Sequence, residues 1–240
     1  MKAFSSFSWQ EYVSSPKVDS GINFIVMSCG LFFFILSIFS LILKKENIHL
    51  SKLLPLGAFC LFLMIVAQFV AKFFYIGVLL EHGIQIGAPI FLYFLIQSKL
   101  REKSFILLTK ALIAATFIGH ALFAIGFHPV PGHFIDMVVS ILGVQEGAAL
   151  RLLMIAGSLD ILASFFLFFK KTEKYSLYFM VFWGGATALA RMFAHVRFDF
   201  LIDSSHQWLF ETIYRLPHAL VPLALLFYMK EFYEGDALNA

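Results

Sequence analysis

The sequence predicts an all-α, polytopic membrane protein with seven transmembrane helices, the N-terminus outside and the C-terminus inside. Three observations predict it. Hydrophobic residues fill 60% of the 240 positions and charged residues 14%, where a soluble domain carries roughly 25% charged residues. Phenylalanine alone occupies 31 positions. A soluble fold of this size has too little interior to bury that much apolar surface, so lipid must take the place of water. Finally, lysine and arginine gather in alternate loops.

A helix needs about 20 mostly apolar residues to cross a bilayer. Seven segments meet that length: 22–43, 53–71, 74–97, 105–126, 148–169, 175–195 and 207–229. Residues 1–21 are polar and aromatic and lack the small-residue cleavage pattern of a signal peptide, so they are read as an outer N-terminal segment. Glu81, His82 and Gln85 interrupt the third span. Lys44, Lys45 and Lys52 flank the first loop, Lys99, Arg101 and Lys103 follow the third span, and Lys170, Lys171 and Lys174 follow the fifth. Lys230 follows the seventh. The positive-inside rule assigns these loops to the cytoplasm and makes 230–240 a cytoplasmic tail.

The outer loop 127–147 contains no lysine or arginine. Its centre, FIDMVVSIL, is apolar yet too short to cross, which predicts a re-entrant or interfacial helix. Pro129 and Pro131 predict an extended entry, and Gly132 frees the bend. The whole chain, 1–240, reads as a single domain. The small net charge of +3 sits in the loops and implies no nucleic-acid partner. The expected partners are the lipid bilayer and other membrane subunits, in a bacterial cytoplasmic (inner) membrane. Cys29 and Cys60 lie in apolar runs without a CxxC motif, and are read as buried small hydrophobes. Phe32–Phe34, Phe165, Phe166, Phe168 and Phe169 are read as lipid-facing or packing residues.

At 1.5 Å per residue, the ionisable groups within the spans fall mainly in the outer half of the membrane. Glu81, His82, His120, Arg151, Arg191, His195, Glu211, Arg215 and His218 all lie there, with Asp160 near the middle. The inner half keeps Lys110, whose stem is expected to snorkel to the interface. A charge facing hydrocarbon costs at least about 2.5–3.5 kcal/mol, so these groups should face one another or a wet cavity. Helical spacing agrees. Glu211, Arg215 and His218 share one face, as do Thr187, Arg191 and His195, Thr116 and His120, and Glu81 and Gln85. Four polar stripes argue for one shared pocket. Pro217 is expected to kink the last span beside His218, and Gly184 and Gly185 to admit close helix packing.

Glu211–Arg215 is the expected ion pair, being four apart on one helix. Arg191 is expected to pair with Glu81 or Asp160. The arginine forks also suit an anionic or carbonyl-bearing ligand. His82, His120, His195 and His218 come from four helices. Pairs of them suit haem axial ligation, and three of them with Glu81 or Glu211 suit a metal, although no HExxH or HxxxH motif is present. His128 and His133 are read as interfacial or solvated.

Four quoted segments carry a likeness. GHALFAIGFHPVPG, RLLMIAGSLDILASFFLFF, FWGGATALARMF and WLFETIYRLPHALVPL are similar, in helix order and in a small-residue/acidic pattern at Gly157 and Asp160, to the DoxX-like bacterial membrane proteins. The likeness spans about residues 104–230, and the first three helices depart from it. It implies association with quinone-linked oxidation in the cytoplasmic membrane and assigns no catalytic residue.

The leading expectation is therefore a redox-linked membrane subunit binding quinone or haem in an outward-opening pocket. The alternatives are a carrier or receptor for a small anionic solute, and a non-catalytic structural subunit of a membrane complex.

Overall fold

In the computed structural model, residues 8–44, 47–97 and 102–238 are described. All regular structure among them is helical. Lys45, Lys99 and Arg101, on which part of the orientation rests, lie outside the described residues, as do the chain ends 1–7 and 239–240.

Among the described residues, seven helical stretches are long and apolar enough to cross a membrane, matching the number expected. A short α1 (Trp9–Ser14) precedes α2 (Pro16–Ile42), whose Pro16 starts the helix where a missing N–H costs nothing. The second span joins α3 (Ile48–Ser51) to α4 (Leu53–Ala71). The third is broken in two, α5 (Ile76–Glu81) and α6 (Gly83–Gln97), at the polar interruption seen in the sequence. Then come α7 (Glu102–Ala124), α9 (Glu146–Phe166) and α10 (Glu173–His195) as single helices. Between α7 and α9 lies α8 (Gly132–Leu142), the short apolar helix expected in the loop. Gly143 closes it in the left-handed conformation that glycine tolerates (φ 64°).

The last span is also broken, into α11 (Leu201–Arg215) and α12 (Pro217–Leu238). Pro217 ends α11 as expected, because it has no N–H to continue the ladder. This stretch starts at Phe198, nine residues before the boundary read at 207. Its first turns carry Asp203, Ser204, Ser205, His206 and Gln207, so a search for apolar runs passes over them.

α7 is the axis of the bundle, with 56% of its span buried against 6% of α2. It packs against α5, α6, α9 and α12, while α10 packs against α8, α9, α11 and α12. One core cluster around Ile84, Ile113, Phe117, Leu177 and Met180 joins these helices. A second, around Val78, Phe123, Phe134 and Leu153, sits where α8 closes one end of the bundle. This is called the α8 end below. Phe34, Phe165, Phe166, Phe168 and Phe169 face outward, while Phe32 and Phe33 pack beside Leu36. Cys29 and Cys60 are only half-buried, not interior as expected, because α2 and α4 lie at the bundle's edge.

Two glycines bring backbones together. A Cβ on Gly119 of α7 would stand 2.3 Å from the Glu81 nitrogen, and one on Gly184 of α10 would stand 2.5 Å from the His218 carbonyl oxygen. Gly185, its neighbour, meets only the Ala219 Cβ, at 3.7 Å. The two tight contacts set the positions of Glu81 and His218.

Candidate functional site

The break in the third span puts Glu81 at the end of α5, seated against α7. Thr116 bridges the gap: its Oγ1 accepts a 2.9 Å hydrogen bond from the Ile84 N–H, which lacks a helical partner across the break. His82 donates through Nδ1 to the Val78 carbonyl at 2.7 Å. One turn along α7 from Thr116, His120 Nδ1 lies 3.3 Å from Glu81 Oε2. From α12, His218 Nε2 lies 2.9 Å from His120 Nε2. His218 Nδ1 donates to the Arg215 carbonyl at 2.8 Å. The result is a continuous line, Glu81–His120–His218–Arg215, across four helices, α5, α7, α12 and α11.

Hydrogen-bond stoichiometry fixes the protons in this line. A carbonyl only accepts, so His218 Nδ1 carries hydrogen. His120 Nδ1 faces a carboxylate and also donates. With both rings neutral, His120 Nε2 is an acceptor, and Arg215 Nη1 donates to it at 3.3 Å. The His218 Nε2 beside it is an acceptor too, so the pair offers a place for one added proton.

His120, His218 and Arg215 of this line form one wall of a cavity of about 90 Å3. At roughly 10–15 Å3 per water-sized occupant, that is the size of one substituted ring. Phe117, Phe134, Met137 and Trp183 supply apolar walls, with Phe134 and Met137 coming from α8 as a lid. Asp160 and Arg191 complete the lining, and both are buried, at 5% exposure each. Asp160 Oδ1 and Arg191 Nε have no hydrogen-bond partner. A buried polar atom without a partner costs about 1–3 kcal/mol, and two such atoms belong to residues that line this cavity.

A second chamber of about 210 Å3 adjoins the first, lined by Gln68, Lys72, Glu81, His133, Glu211 and Arg215 among others. Glu211 pairs with Arg191 at 2.5 Å, so this ion pair crosses the partition between chambers. Desolvation, with Arg191 and Arg215 nearby, brings the His133 ring down to about 4, leaving it neutral near pH 7.

Of the residues expected in a shared pocket, Glu81, His82, His120, Asp160, Arg191, Glu211, Arg215 and His218 line one chamber or the other. Gln85 is buried, but its Oε1 is unpartnered and it lines neither. Arg151 is exposed instead of lining the pocket. The buried stripe of α9 runs Ala149, Leu153, Gly157, Asp160, Ser164, and a residue two before Leu153 points about 200° away from it. His195 stacks on Trp208 with ring centroids 3.9 Å apart and lies outside both cavities. Arg191 pairs with Glu211, not with Glu81 or Asp160, and Glu211 is thereby taken from Arg215, its expected partner. The cause is the hinge at Leu216, which turns Arg215 toward α7. His128 is buried rather than solvated, accepting from the Gly77 N–H at 3.3 Å and stacked on Tyr75. Lys110 does not snorkel; it forms a buried ion pair with Glu173.

Among the described residues no group of three or more His, Cys, Asp or Glu side chains is arranged to hold a metal ion. The haem expectation for His82, His120, His195 and His218 meets the same geometry. His120 and His218 are close enough to hydrogen-bond each other, leaving no space for an iron between them, and the cavity is far smaller than a macrocycle. Trp183 and the α8 lid were missed in the sequence. Trp183 precedes Thr187 and Arg191 by one and two helical turns, and that stripe could have revealed it. No family model matches the chain, and neither does any curated protein or solved structure.

Proposed function

We propose that the protein is a quinone-binding membrane subunit whose cavity holds the head group and whose Glu81–His120–His218 line handles its protons. The observation that carries this is a ring-sized, largely apolar cavity lined by Asp160 and Arg191, each of which has a buried polar atom, Oδ1 and Nε, without a hydrogen-bond partner. A quinol has the complementary pattern: a hydroxyl that donates to Asp160 and an opposite oxygen that accepts from Arg191. Trp183 and Phe117 supply faces for the ring. Oxidation of a bound quinol releases two protons and two electrons. The protons pass to the histidine pair, and the electrons pass to a redox centre on a partner membrane subunit. Likeness of residues 104–230 to DoxX-like proteins agrees with this chemistry.

The anionic-solute reading is less well supported, because Arg191 is neutralised by Glu211 and Arg215 is directed at His120. The purely structural reading is less well supported, because it leaves the cavity beside Asp160 and Arg191 without a role. In this proposal the lysines Lys103, Lys170, Lys171, Lys174 and Lys230 mark the cytoplasmic end of a bacterial inner-membrane protein, with N-terminus outside and C-terminus inside. The α8 end then faces away from the cytosol.

Trp183 reports directly on the cavity. In a W9F/W208F background, titration with a short-chain benzoquinone should quench its fluorescence saturably. Ala156→Phe fills the cavity and should weaken the apparent affinity at least about tenfold, or ~1.4 kcal/mol. Quenching that is linear in quinone, or identical in the two proteins, would refute the reading.

A further inference from the structure

The line from Glu81 to His218 has two ends. His218 and His120 face the ring-sized cavity, and Glu81 faces the second chamber. Only Phe134 and Arg215 line both spaces. They and the Arg191–Glu211 pair form a partition, and the Glu81–His120 contact crosses it at 3.3 Å. The two spaces differ in chemistry. The first is walled mainly by apolar and aromatic side chains. The second, more than twice as large, is ringed by Gln68, Lys72, His82, His133 and Glu211, groups that water solvates well. At roughly 10–15 Å3 per water, it has room for a connected cluster of waters. Its mouth lies at the α8 end, where His133 and Lys72 are exposed.

We infer that the second chamber is a water-filled vestibule through which Glu81 exchanges protons with the solution at the α8 end, making Glu81 the exit of a proton path from the buried cavity. The inference rests on the proposed function for what the path serves, but the vestibule can be tested without any quinone. A proton from the cavity binds His120 Nε2 of the neutral pair and makes that ring an imidazolium. The N–H bond at His120 Nδ1 breaks and an O–H bond forms on Glu81 Oε2. The carboxyl group then releases its proton to a vestibule water and Glu81 returns to carboxylate, while rotation of the His120 ring brings its remaining N–H back to the Glu81 side. Phe134 and Arg215 keep that water from the ligand, so protons cross the partition while solvent does not. Lys72 and Arg215 place positive charge beside the chamber, which favours the carboxylate at rest and drives the released proton outward.

Cysteine accessibility reads the path. In a C29S/C60S background, Q68C and E81C place thiols in the vestibule, A156C places one at the half-buried wall of the apolar cavity, and D136C marks the exposed surface of α8. Each full-length variant is reconstituted in vesicles of known orientation and treated with a membrane-impermeant charged methanethiosulfonate from each side in turn. Q68C and E81C should react from the D136C side only, within about tenfold of the D136C rate, while A156C reacts at least about a hundredfold more slowly. If E81C fails to fold, as judged by size-exclusion profile, Q68C still reads the chamber. Protection of Q68C, or of a folded E81C, from both sides would overturn the inference, as would rapid labelling of A156C. A quinone that failed to bind Trp183's cavity would leave all these rates unchanged, so the two failures are distinguishable.

Discussion

Gly119→Ala should destabilise the protein by about 3 kcal/mol, at the upper end of overpacking costs. The added methyl would stand 2.3 Å from the Glu81 nitrogen and 2.8 Å from its Cα, and both are backbone atoms that no rotamer change can move. α5 would have to back away from α7. That shift would also draw the Glu81 carboxylate from His120, so binding in the cavity should weaken together with stability. Thermal unfolding of the detergent-purified variant measures the first effect and Trp183 quenching the second. Gly185→Ala is the control. Its methyl meets only the Ala219 Cβ, at 3.7 Å, and a helical alanine there should be neutral or slightly stabilising. Equal melting temperatures for Gly119→Ala and the parent would show that the α5–α7 contact is looser than described.

Breaking the Lys110–Glu173 pair should cost about 3–5 kcal/mol for either single substitution, Lys110→Met or Glu173→Gln. Both side chains are at least nine-tenths buried, so Glu173→Gln would leave the Lys110 ammonium without this counter-charge far from solvent. Much of the loss should return in the double variant, because no charge is then stranded. A double-mutant cycle on thermal or denaturant unfolding reads this as a coupling of at least about 2 kcal/mol. Additive losses would mean the two residues are solvated separately. This pair sits at the lysine-rich end, away from the chambers, so Trp183 quenching in these variants should follow stability alone.

The fold was legible because lipid imposes a simple demand: every span must be long, apolar and helical. Composition and run length carried that information. The short helix α8 was legible for the same reason, being apolar yet too short to cross. The polar stripes were visible through helical periodicity, and most of their members meet in the two chambers. What the sequence hid was rotation and partnership. Arg151 lies in the right span at the right depth, but on the wrong face of α9, since only the full buried stripe from Ala149 to Ser164 shows which way it turns. Glu211 and Arg215 are four apart, but the hinge at Leu216 sends them to different partners. Glu173 looked like an ordinary helix-start acid beside a charged loop. Its pairing with Lys110, 63 residues away, depends on how α7 and α10 cross. His128 shows the same limit, since its loop folds back on α5 and buries the ring under Tyr75.

The proposed function requires the cavity beside Asp160, Trp183 and Arg191 to be a ligand site. The most direct measurement is the quinone content of protein purified in mild detergent from its own membrane, determined by organic extraction and set against protein concentration. The prediction is near-stoichiometric quinone in the parent protein and at least about a tenfold loss in Ala156→Phe, with the helical content and size-exclusion profile unchanged. No quinone above the level of a control membrane protein in the parent, or equal amounts in both proteins, would contradict it.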